Sequence, residues 1–156
     1  MENYSIQEIV EMAVQTERLG FKFYNDMAEK FKSDAKLNNL FSILAVKEQR
    51  HQKAFEELKE ILGTREPEHW EEVQSYFRAV VESEFFLGKD KSLPSMDHLK
   101  TVADAVRFAM GFEKETLLYF VMLRDQIREK DVVDEIINEE KSHIMWLGKF
   151  KEGLGA

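Results

Sequence analysis

Apolar residues recur every three or four positions through four long stretches of this chain, and that period limits its fold more than any other feature. The first stretch opens on Ser5 with Glu8 three residues on, a capping-box pair, and repeats at Ile6, Val10, Ala13, Tyr24, Met27 and Phe31. The second starts near Ser33–Asp34, repeats at Leu37, Phe41, Leu44, Phe55, Leu58 and Leu62, and meets a stop at Gly63. The third opens after Pro94–Ser95, with Val102, Val106, Ala109, Leu117, Phe120 and Leu123 on one face. The fourth takes Asp131 as its N-cap and repeats at Val133, Ile136, Leu147, Phe150 and Leu154. The spacing predicts helices over 5–31, 35–62, 99–128 and 132–152, each about 30–45 Å long at ~1.5 Å per residue. Two of the joints are only a few residues long, which forces antiparallel neighbours. Residues 63–98 separate the second helix from the third and include an amphipathic stretch, Trp70 to Leu87, that reads as a shorter helix over 70–87. The expectation is a single all-α domain spanning 1–156: a four-helix bundle with one long crossover in the middle.

Composition removes the alternatives. Seven Gly and two Pro leave too few turns for a β-sandwich or barrel. A net charge of −8 argues against nucleic-acid binding and against an acidic membrane surface. With no Cys there is no disulfide, thiolate nucleophile, zinc finger or cysteine-held iron site. Glu2, Glu8 and Glu11 stand where a signal peptide needs an apolar run, and no apolar stretch reaches the length of a membrane span. A cytoplasmic location is expected.

The apolar stripes are interrupted, and the interruptions carry the chemistry. The first stripe passes through Glu17, the second through Glu48 and His51, the third through Glu113, the fourth through Glu140 and His143. Each lies towards the middle of its helix, so an antiparallel bundle places all six in about one layer. Residues three apart share a helix face, so each Glu-x-x-His pair points two ligands at one spot. Four buried carboxylates cost several kcal/mol per charge, or take up protons, unless cations neutralise them. No Lys or Arg occupies the stripes, whereas two divalent cations balance four negative charges. Oxygen and imidazole ligands without sulfur suit iron or manganese. One Glu from each of two helices and a Glu-x-x-His from each of the other two is the arrangement of carboxylate di-metal bundles.

Other residues have plainer readings. Glu66–Pro67–Glu68–His69 repeats the spacing beside a proline and off any long stripe, so it reads as a decoy. Glu115 reads as surface, and Glu139 as off the stripe but able to support a ligand. Tyr24 and Tyr119 are either plain core or hydrogen-bond donors that orient a ligand carboxylate. Gly20, one turn from Glu17, either leaves room in the core or permits close helix approach, at about 1 kcal/mol of helix propensity.

Taken together, Glu17 with Phe23–Tyr24, Lys47–Glu48–Gln49–Arg50–His51, Phe112–Glu113–Lys114–Glu115 and Glu139–Glu140–Lys141–Ser142–His143 resemble the ferritin-like di-iron proteins, and among them the rubrerythrin branch. Glu17 and Glu48 are 31 residues apart and Glu113 and Glu140 are 27 apart, as in a duplicated helical hairpin. The resemblance implies two iron ions, with Glu17 and Glu113 as terminal ligands, Glu48 and Glu140 as bridging ligands and His51 and His143 giving one imidazole to each metal. It implies reduction of hydrogen peroxide, or oxidation of ferrous iron by oxygen or peroxide, with Tyr24 supporting the site, and a homodimer. Two departures stand out. Rubrerythrins proper carry an extra carboxylate near the third-helix ligand, where this chain has Met110 and Thr116, and they usually append a rubredoxin domain, so a separate rubredoxin-like electron donor is expected. An iron carrier or ferroxidase without peroxidase turnover, a di-metal monooxygenase and a metal-free helical interaction module are the alternatives.

Overall fold

The computed structural model describes residues 4–63, 69–82, 93 and 98–154. Among them are five α-helices and no strand: α1 (Ile6–Lys30), α2 (Ala35–Leu62), α3 (Trp70–Val81), α4 (Val102–Gln126) and α5 (Lys130–Gly153). None of these helices is long and apolar enough to cross a membrane.

Local chemistry sets the ends. Ser5 Oγ accepts from the Glu8 amide at 3.1 Å while the Glu8 carboxylate accepts from the Ser5 amide at 2.8 Å, closing the expected capping box. Asp34 caps α2 through the Leu37 amide at 3.1 Å, and Gly63 ends that helix at φ +62°, a conformation that favours glycine. The third long helix begins at Val102, later than the expected 99, because Thr101 and Asp104 form a second capping box; it ends at Gln126. Asp131 is not the N-cap of α5. That position falls to Glu129, and Asp131 lies inside the first turn, where its charge meets the positive end of the helix dipole. The crossover helix ends at Val81, and residues 83–87 of the expected 70–87 segment lie outside the described residues.

The stripes expected from the sequence pack into two apolar clusters. One joins the N-terminal half of α1, the C-terminal halves of α2 and α4, the start of α5 and all of α3. The other joins the opposite halves of the four long helices. The α1–α2 and α4–α5 hairpins are therefore antiparallel, and α1 runs antiparallel to α4. Helix α3 closes the first end: Trp70 Nε1 donates to the Tyr4 carbonyl at 2.7 Å, and the Tyr4 amide donates to Gln74 Oε1 at 3.1 Å. Leu154, expected on the fourth stripe, is exposed because it lies beyond the end of α5.

Candidate metal centre

Between the two clusters lies a polar layer. Glu17, Glu48, Glu113, Glu140 and His143 are wholly inaccessible and His51 is 3% exposed, so all six stripe interruptions point inward. They form two overlapping groups. Glu17, Glu48, His51 and Glu140 bring one ligand atom each within 4.8 Å of one another, and so do Glu48, Glu113, Glu140 and His143. Glu48 and Glu140 belong to both.

The imidazoles frame this set. Their rings are stacked, with centroids 5.8 Å apart and planes 17° from parallel. His51 Nδ1 lies 2.9 Å from Glu140 Oε1 and 3.6 Å from Glu17 Oε1. His143 Nδ1 lies 3.3 Å from Glu140 Oε2, 3.4 Å from Glu48 Oε1 and 3.5 Å from Glu113 Oε1. Both Nδ1 atoms thus face the carboxylates.

Sharing a buried layer shifts every group. Burial, followed by the charge of Glu140, pushes the Glu17 and Glu48 carboxyls well above the carboxylate range. The same causes raise Glu113 to about 8. Burial opposes charge on the imidazoles too, but their carboxylate neighbours override it, raising His51 to about 9 and His143 to about 12. Glu140 moves down despite burial, because Glu113, His143 and His51 all bond to it. Glu113 and Glu140 are pushed in opposite directions, as adjacent buried carboxylates are when ionising one opposes ionising the other.

The layer fits a cation. Both oxygens of Glu17 and of Glu48, Oε2 of Glu113, Oε2 of Glu140 and both ring nitrogens of His143 are buried without a hydrogen-bond partner. A buried polar atom left so costs about 1–3 kcal/mol. Seven of these eight, all but His143 Nε2, lie where a coordination shell requires them, and oxygen with imidazole nitrogen suits iron or manganese.

The remaining expectations resolve individually. Tyr24 Oη donates to Glu113 Oε1 at 2.5 Å across the bundle, so it supports the third-helix carboxylate rather than Glu17 on its own helix. Tyr119 does not touch the layer, because its hydroxyl donates to the Ile9 carbonyl at 2.6 Å. His69 is exposed at the start of α3, while Glu66 and Glu68 lie outside the described residues. Glu115 is half-buried rather than surface. Glu139 bonds to His51 Nε2, with its other oxygen 3.9 Å from Lys47 Nζ. Gly20 meets both of its readings: a Cβ there would stand 3.0 Å from Glu48 Oε2 and 3.0 Å from Phe112 Cζ, so the missing side chain makes room for a layer carboxylate where the helices approach closely.

Comparison with known proteins bears on the fold and the family. A crystal structure from Thermotoga maritima, described as a candidate ferritin-like diiron-carboxylate protein, superposes with a TM-score of 0.70 at 21% identity, covering 97% of each chain. At that identity the likeness speaks for the fold alone. No curated protein matches the chain. The Rubrerythrin family model matches residues 8–151, nearly the whole sequence. This chain belongs to the rubrerythrin family.

Proposed function

We propose that this protein is a non-haem di-iron oxidoreductase that reduces hydrogen peroxide or oxidises ferrous iron. One observation carries the reading: both four-residue groups share Glu48 and Glu140, and each group has its own imidazole and its own further carboxylate. That is the pattern of a paired site: Glu48 and Glu140 would serve both metals, Glu17 with His51 would complete one half and Glu113 with His143 the other. Two irons held there would supply two electrons together to an oxidant.

The protein's own contribution is positional. The apolar clusters above and below exclude water from the layer and keep its electrostatics strong. Tyr24 fixes the Glu113 carboxylate and holds a proton at Oη, 2.5 Å from Glu113 Oε1. Tyr24 is the group placed to give a proton to a reduced oxidant once metal has displaced those of the carboxylates.

The two substrates differ in where the electrons come from. Repeated peroxide turnover needs an electron donor, and these 156 residues hold no cysteine to build a rubredoxin-type iron site, whereas ferrous iron as substrate brings its own electrons. The test is anaerobic loading followed by stopped-flow mixing. Two equivalents of iron, and rapid ferric formation with peroxide but slow formation with oxygen, support peroxide reduction. Continued oxidation of added ferrous iron supports the ferroxidase arm. Less than one equivalent bound overturns both.

A further inference from the structure

His51 and His143 occupy matching places in the two hairpins but are held differently. In each, Nδ1 faces the carboxylate layer. His51 is gripped at both ring nitrogens by consecutive residues of α5: Glu140 Oε1 lies on Nδ1 at 2.9 Å, and Glu139 Oε2 bonds Nε2. His143 has no such grip. Its Nε2 is buried without a hydrogen-bond partner, and the ring beside it is Trp146, 5.6 Å away between centroids. Glu139 also differs from the six layer residues in reaching solvent, with 32% of its side chain exposed.

An imidazole that binds a metal gives one nitrogen to the cation and carries its proton on the other. A carboxylate accepting from that second nitrogen fixes both tautomer and ring orientation. From these contacts, and resting on the metal reading above, we infer that Glu139 is a positioning residue for His51, holding the proton on Nε2 so that a bare Nδ1 faces the cation. The two halves of the centre are then unequal. The His51 half is ordered before metal arrives, while the His143 half is oriented only by packing and by the metal itself. Lys47, a loose contact at 3.9 Å on a partly exposed group, adds little.

Cobalt(II) loading of the full chain tests this without reference to turnover, because imidazole N–H protons near the ion give displaced NMR signals. The unaltered protein should show two such N–H signals in slow exchange with water, that of His143 because its Nε2 is buried and that of His51 because Glu139 accepts from it. A single slow signal would overturn the inference with no variant needed. Glu139→Ala should move one of the two into fast exchange and weaken cobalt binding at one of the two positions by about 10–100-fold, the usual effect of removing such a partner. Glu139→Gln keeps an acceptor oxygen and should restore the second slow signal and most of the affinity. Lys47→Met should change neither. Unchanged affinity and two surviving slow signals in Glu139→Ala would refute the assignment, as would a Lys47→Met variant that reproduces the loss. An unaltered protein that takes up no cobalt would sink the metal reading itself, a result easily told apart from the others.

Discussion

Replacing Gly20 with alanine separates packing from site geometry. Ala in mid-helix is favoured over Gly by about 1 kcal/mol. Against that gain, the new methyl would stand 3.0 Å from Glu48 Oε2, 3.0 Å from Phe112 Cζ and 3.1 Å from Phe112 Cε1. Ordinary carbon contacts sit at ~3.5–4.0 Å, so the neighbours must retreat by about half an ångström. Phe112 is fully buried, with its ring edge-on to Tyr24 at 6.4 Å, and yields little. Overpacking of this kind costs about 1–3 kcal/mol, so the metal-free variant should lose between about 0 and 2 kcal/mol once the helix gain is subtracted. Glu48 is the freer neighbour and takes most of the displacement. Functional groups tolerate about 0.5 Å of error, and Glu48 belongs to both four-residue groups, so metal affinity should fall at both positions, by about tenfold or more. Calorimetric titration with ferrous iron under anaerobic conditions, beside thermal unfolding of the metal-free form, measures the two effects independently. Wild-type affinity with reduced stability would show that Gly20 serves helix approach alone and would refute the link to Glu48.

The shared ligands predict a distinctive stoichiometry: Glu48→Ala and Glu140→Ala should each abolish paired loading, while Glu17→Ala and Glu113→Ala should each leave one metal, as elemental analysis after gel filtration would reveal. The two tyrosines should part company. Tyr24→Phe leaves Glu113 Oε1 without its donor and should weaken metal binding about tenfold or more, whereas Tyr119→Phe removes a bond to the Ile9 carbonyl, which sits within α1 and keeps its helical partner, and should cost about 0.5–1.5 kcal/mol in denaturant unfolding with loading untouched. Metal-free stability should fall with rising pH: Glu17, Glu48 and Glu113 and both imidazoles bind protons more tightly folded than unfolded, so their contribution is full below ~4.3 and is lost as pH climbs through about 8 for Glu113 and about 9 for His51. Glu140, held low, opposes part of this. Thermal unfolding in chelator between about pH 5 and 9 checks the sign, and a rising midpoint would contradict it.

What could be read from the sequence was whatever one helix expresses by itself. A stripe of Val, Leu and Phe interrupted by Glu17 or by Glu48 and His51 reports its own burial, because the interruption lies on a face that must be inside. Ser5 with Glu8 and Asp34 at the second start were legible for the same reason, being satisfied within a few residues. Thr101 and Asp104 form the same kind of box, yet the nearby proline and serine drew the expected start too early. Asp131 shows the converse: a good capping residue became a first-turn charge because Glu129 turned the chain sooner. Contacts between helices were out of reach. That Tyr24 serves Glu113, 89 residues away, and that Glu139 meets His51 across 88, depends on the relative rotation of packed helices, which spacing along one helix does not encode. Gly20 was ambiguous for that reason too, since its meaning lies in what Glu48 and Phe112 bring to it.

The division of the core into two apolar clusters also bears on what metal does for the fold. Full burial of a Leu, Ile or Phe contributes about 1.5–3 kcal/mol, and both clusters contain many such residues, fully buried, from all four long helices. The polar layer costs several kcal/mol for each charge it buries. Protons already reduce that cost without any metal: Glu17, Glu48 and Glu113 stay protonated above the usual range, and two charged imidazoles face the carboxylates that remain. The bundle therefore has a route to folding before cations arrive, unlike a zinc finger, whose ordering is the binding event. Loading then exchanges protons for metal inside a frame whose walls are set. The ligand geometry is dictated by hydrocarbon packed on either side of the layer, and the metal completes a site it did not have to build.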